Sequence, residues 1–103
     1  MGIVFHLIIP IICIGLGIYG PCEESPDCGE CGGQDFSTED ACFLMSVIMD
    51  SPWKGSVGAN SSLPKGCIAK FSDKKWNIYF NSAKDGMQQK RVTCICKYTD
   101  SKI

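Results

Sequence analysis

Cys28-Gly-Glu-Cys31 is the first group in this chain whose type and spacing could do chemistry. C-x-x-C is the spacing of thiol–disulfide oxidoreductases and of zinc half-sites. A redox pair works at a helix N-terminus, where a thiolate is stabilised. Here the neighbours are Glu23, Glu24, Asp27 and Glu30, and their charge raises a thiol pKa. A four-thiolate zinc set could join Cys28 and Cys31 to Cys94 and Cys96. C-x-C is a less usual half-site, however, and an oxidising compartment would convert these thiols first. Structural disulfides are the leading expectation, and thiol-redox or zinc binding through the C-x-x-C pair is an alternative.

Hydrolytic chemistry has little to work with. The single histidine, His6, lies in an apolar N-terminal run, so a processed chain would carry none. That removes Ser-His-Asp, Cys-His and His-ligated zinc arrangements together. No G-x-S-x-G, H-E-x-x-H or phosphate loop occurs. The expectation is a non-enzyme without a cofactor.

The elements that must position these residues begin with an export signal. Ile3 to Tyr19 is a 17-residue run without Asp, Glu, Lys or Arg, interrupted by His6, Pro10, Gly15 and Gly17. It is short for a membrane span, which needs about 20 apolar residues. Gly15 and Gly17 suit the −3 and −1 positions of a cleavage site, which predicts a signal peptide over 1–17, or to 20. An uncleaved membrane anchor is the alternative. Eight cysteines in 103 residues also favour an oxidising, extracellular address. Cleavage would remove Cys13 and leave Cys22, Cys28, Cys31, Cys42, Cys67, Cys94 and Cys96, an odd set. One thiol is then unpaired, or joins a second chain as a covalent dimer.

Segment 18–36 is dense in Cys, Gly and acids and predicts an irregular stretch. The core follows over 37–98, with a tail at 99–103. Ser37 is the expected N-cap of a helix, with Asp40 completing a capping box. Ala41, Cys42, Met45, Ile48 and Met49 recur at helical spacing as its buried face. Trp53 to Lys65 reads as a loop carrying the sequon Asn60-Ser61-Ser62, so Asn60 is a candidate glycosylation site. Cys67, Ala69 and Phe71, then Trp76, Ile78 and Phe80, then Val92, Cys94 and Cys96 alternate as three strands. The expected fold is α+β: a small disulfide-rich domain with one helix packed on a three-stranded antiparallel meander. Cys42 could bridge to Cys94 or Cys96, with Cys67 nearby.

Charge is unevenly placed. Pro21 to Asp50 carries eight acids and no base, whereas the remainder carries ten bases and three acids. The expectation is that the acidic half folds against the basic half. Lys74, Lys75, Tyr79 and Trp53 are the candidate binding residues of a basic, aromatic-bearing sheet face.

Thr38-Glu39-Asp40-Ala41-Cys42, Pro64-Lys65-Gly66-Cys67, Tyr79-Phe80-Asn81 and Ile95-Cys96 together resemble a cysteine-rich module of uncharacterised proteins from unicellular algae and other protists. The resemblance spans Ser37 to Lys97 and implies no activity. The C-x-C strand and a helix cysteine also resemble the αβ scaffold of defensins and scorpion-type toxins. That pattern needs two helix cysteines four apart, and positions 38 and 46 are threonine and serine.

The sequence therefore predicts a secreted, non-catalytic binding module. Its expected partner is an extracellular protein, a glycan or a membrane surface, and not nucleic acid. A toxin- or defence-type peptide acting on membranes or channels is the alternative function.

Overall fold

The computed structural model describes residues 12–14 and 17–98, with side chains from Ile18 onward. Residues 1–11, 15–16 and 99–103, which hold most of the expected signal peptide and the whole tail, lie outside the described residues. One helix, α1 (Glu39–Ile48), packs on a mixed seven-stranded sheet. The strands are β1 (Ile12–Ile14), β2 (Gly17–Glu23), β3 (Gln34–Asp35), β4 (Trp53–Ser56), β5 (Gly66–Ser72), β6 (Lys75–Asn81) and β7 (Val92–Tyr98). A 3₁₀ turn covers Cys28–Cys31.

The three expected strands are present, but they do not form a meander. The main order is β1-β2-β7-β5-β6-β4, so β7 pairs with β5 and not with β6. Both β6 and β7 run antiparallel to β5, and 82–91 must therefore cross from one end of the sheet to the other. Local anchors hold this crossover. Ser82 N donates to Gly58 O at 2.9 Å and Met87 N to Leu63 O at 3.1 Å. Gly86 sits so close that a Cβ would lie 2.4 Å from Pro26 O and 2.5 Å from Lys65 N. The expected turn glycine is thus a contact point of three segments.

Four further strands complete the sheet. β2 pairs along nearly all of β7, from Ile18↔Tyr98 to Glu23↔Thr93. On its other edge β7 takes β5 first and then β3, at Gln34↔Lys97 and Asp35↔Cys96. β4 pairs parallel to β6, which makes the sheet mixed. β1 pairs with β2 at Ile12↔Tyr19, Cys13↔Ile18 and Ile14↔Gly17.

Strand alternation sends the apolar residues to both sides of the sheet. Cys67, Ala69, Ile78, Phe80 and Ile95 meet Cys42 and Met45 beneath the helix. Cys22, Cys28, Cys94 and Cys96 cluster on the opposite face, under the segment that carries the 3₁₀ turn. The helix starts one residue later than expected. Thr38, not Ser37, is the N-cap, and its Oγ1 accepts from Ala41 N at 3.2 Å. Cys42, Met45 and Ser46 are its buried residues, with Met49 half-buried. Ile48 was expected inside, yet it lies on the flank and is 44% exposed.

Asn81 fixes the loops at one end of the sheet. Its side chain is 1% exposed. Its Oδ1 accepts from Asn60 N at 2.9 Å and Ala83 N at 3.2 Å. Its Nδ2 donates to Asn60 O at 2.8 Å, Leu63 O at 3.3 Å and Pro64 O at 2.7 Å. Asn81→Asp keeps the size but turns donor into acceptor against three carbonyls. We expect it to cost about 2–3 kcal/mol, read as a lowered urea midpoint. An unchanged midpoint would show that 58–65 is held by other contacts.

Candidate functional site

The cysteines form three disulfides: Cys22–Cys31, Cys28–Cys96 and Cys42–Cys67. Cys28 and Cys31 belong to different bridges, so the C-x-x-C spacing is not a dithiol pair. No group of residues able to hold a metal occurs among the described residues. The helix cysteine joins Cys67, and not Cys94 or Cys96, because strand alternation points those two to the opposite face. Among the cysteines with described side chains Cys94 is the unpaired one, and it is fully buried. Its thiol is pushed from 9.0 up to about 12 by burial, then by the negative charges of Asp35 and Asp27. A covalent dimer through Cys94 would require that strand to open.

Sheet topology gathers cations at one end. The β5–β6 hairpin places Lys74 and Lys75 there. β7 starts at the same end, since Lys70 is paired with Val92 and Phe71 N donates to Arg91 O at 2.9 Å. Lys70, Lys74, Lys75, Lys90 and Arg91 are all exposed. Among the described residues the one ion pair is Lys65–Asp35, at the far end of the sheet, so none of these five cations is neutralised by a side chain. Glu23 and Glu24 line a small hollow beside Arg91 and Trp76 without closing an ion pair. Trp76 is half-buried and packs against Phe71 at 5.1 Å between ring centroids, with the rings tilted by 60°.

The backbone here is unusual. Asp73 and Lys74 have φ of 53° and 65°, the left-handed pair that a two-residue hairpin turn demands. Glycine or asparagine normally fills such positions, since a Cβ costs roughly 1–2 kcal/mol. Arg91 also stands at φ 64°. Asn77 ties the hairpin from behind, with Nδ2 donating to Ser72 O and to Lys75 O, each at 3.3 Å. Two of the five cations are therefore held where a side chain is disfavoured.

The other expected binding residues lie elsewhere. Trp53 packs under the helix, edge-on to Phe43 at 5.7 Å. Tyr79 is half-buried on the opposite face of β6. The structure thus brings Lys74 and Lys75 together and separates them from Tyr79 and Trp53. Asn60 stands in a turn, where its Oδ1 accepts from Ser62 N at 3.0 Å and Ser62 Oγ at 2.6 Å. Near the far end lies an open cleft of about 610 Å³ that contains Asp27, Asp35, Lys65 and Phe36. The outer helix face exposes Phe43, Leu44, Val47 and Ile48. Sequence reasoning gave the buried stripe of Cys42, Met45 and Met49 but did not single out this face, because apolar residues also occupy most of the outward positions of the helix.

Fold and cross-links define a small disulfide-stabilised α+β domain. Compared with protein-family models, with curated proteins and with solved structures, the chain matches none.

The Cys94 thiol carries a pH signature. A thiol whose folded pKa is raised stabilises the fold fully below its unfolded value and loses that contribution as pH rises through the folded value. Stability should therefore fall between about pH 9 and pH 12. Cys94→Ala should flatten that decline in thermal melts taken across the alkaline range. Equal slopes for both proteins would mean that lysine and tyrosine titration dominates instead.

Proposed function

We propose that this chain is a secreted, non-catalytic, disulfide-stabilised binding module whose cationic hairpin end takes an anionic extracellular partner. One observation carries the reading. Lys70, Lys74, Lys75, Lys90 and Arg91 converge at one end of a cross-linked sheet, and Lys74 and Arg91 occupy left-handed backbone there. Uncompensated like charge on a rigid frame raises the local concentration of an oppositely charged ligand and speeds encounter with it. The half-buried Trp76 adds an apolar contact beside the charges, as binding surfaces commonly provide. Three disulfides in a compact domain are consistent with an oxidising, extracellular address.

A sulfated glycan is the partner class that best suits several cations and one aromatic ring without a deep pocket. Asn60, in its exposed turn away from the hairpin, is the proposed glycosylation position. The second reading, a peptide acting on membranes, is favoured by the outer helix face, because Phe43, Leu44, Val47 and Ile48 could enter a bilayer.

Retention on a heparin column should fall with salt, and Lys74→Glu with Lys75→Glu should weaken affinity about tenfold at ~0.1 M salt. Lys74→Gly should raise the melting temperature, because it relieves the left-handed strain, while it still weakens retention. Binding that is unchanged in the double variant would overturn the cationic site. Salt-resistant binding to anionic vesicles that is lost in Leu44→Glu would support the membrane reading instead.

A further inference from the structure

Cys22 and Cys94 are direct cross-strand partners on β2 and β7. Antiparallel partners share a face, with Cβ atoms about 4.5–5.5 Å apart, close to what a disulfide requires. Both sulfurs lie under the same short loop: Cys94 Sγ donates to Ser25 O at 3.5 Å, and Cys22 Sγ is 3.7 Å from Asp27 O. Cys22 is already bonded to Cys31, nine residues further on, and Cys31 is exposed whereas Cys22 and Cys94 are buried. A free thiol therefore faces the buried sulfur of a disulfide whose other sulfur lies at the surface.

We propose that Cys94 and the Cys22–Cys31 bridge form an internal thiol–disulfide exchange pair that delivers a reactive thiol to the surface at Cys31. The Cys94 thiol gives its proton to solvent and its thiolate attacks Cys22 Sγ. The Cys22–Cys94 bond forms as the Cys22–Cys31 bond breaks, and Cys31 leaves as a thiolate with the electron pair. No external oxidant enters this step, and the number of disulfides is unchanged. Cys31 can then attack a second disulfide, forming a mixed disulfide and releasing that molecule's thiolate.

The surroundings keep the exchange slow at neutral pH. The thiolate at Cys94 must form near Asp35 on β3 and Asp27 in the covering loop, with the Tyr98 phenol further along β7. The attacking species is scarce until the pH rises or the loop over 24–27 lifts. The 3₁₀ turn would remain tied to β7 throughout by Cys28–Cys96, so the exchange shifts one thiol outward without releasing the segment. The proposal does not depend on what the cationic end binds.

The test uses the full oxidised chain and glutathione disulfide as probe, with attachment sites mapped by peptide mass spectrometry. Glutathione is expected on Cys31, together with a new Cys22–Cys94 cross-linked peptide, and the rate should rise about tenfold per pH unit between pH 7 and 9. Cys94→Ser should abolish labelling at Cys31. Glutathione on Cys94 itself, or labelling of Cys31 that persists in Cys94→Ser, would overturn the proposal. Cys31→Ser tests the geometry without relying on rate: its freed Cys22 should join Cys94 on oxidation. Two alkylatable thiols at Cys22 and Cys94 in that oxidised, folded variant would also overturn it.

Discussion

Burial of β7 on both faces is the constraint from which the rest of this structure follows. Val92, Thr93, Cys94, Ile95 and Cys96 are all buried in succession, so neither side of the strand can be left to water. A strand flanked by β2 on one edge, and by β5 and β3 on the other, satisfies its backbone along most of its length. Its two faces need two covers. The helix serves one, clamped to β5 by Cys42–Cys67, and the 3₁₀ segment serves the other, clamped to β7 by Cys28–Cys96. So short a segment buries little apolar area of its own, and covalent ties replace the missing hydrophobic gain.

What the sequence made legible was local. The 3.6-residue spacing of Cys42, Met45 and Met49 and the alternation of three strands were readable, because period reports which residues share a face. Which strands are neighbours was not readable, since the connection over 82–91 carries an ordinary Asp85-Gly86 turn signal and nothing that marks a crossover. β2 was hidden because Gly17 to Tyr19 belong to an apolar run that resembles a leader. β3 and β4 are two and four residues long and give no periodic signal at all. The candidate site was half legible. Lysine-rich turns could be seen, but the meeting of Lys70 with Arg91 depends on the β5–β7 register. Tyr79 and Trp53 were grouped with the lysines by composition, and the pleat and the parallel β4–β6 pairing disperse them.

The two oppositely charged halves do fold together, because β2 and β3 flank β7 and Cys28 joins Cys96. Backbone pairing and burial bring them together rather than charge, with one ion pair closed among the described residues. Attraction between exposed groups is weak once screened, whereas a buried strand is not screened. The basic hairpin end therefore keeps its charge.

The bridges differ in how far apart in sequence their partners lie: the separation is 9 for Cys22–Cys31, 25 for Cys42–Cys67 and 68 for Cys28–Cys96. A chain that emerges amino end first can close the first two while β7 is still being made. Cys28 must wait for Cys96, and until β7 emerges its companions among the residues with described side chains are Cys22, Cys31, Cys42 and Cys67. Order of emergence thus favours provisional pairings among the early cysteines, and the arrival of β7 is the event that can sort them. As the last of the described strands, β7 brings the partner that the 68-residue bridge requires.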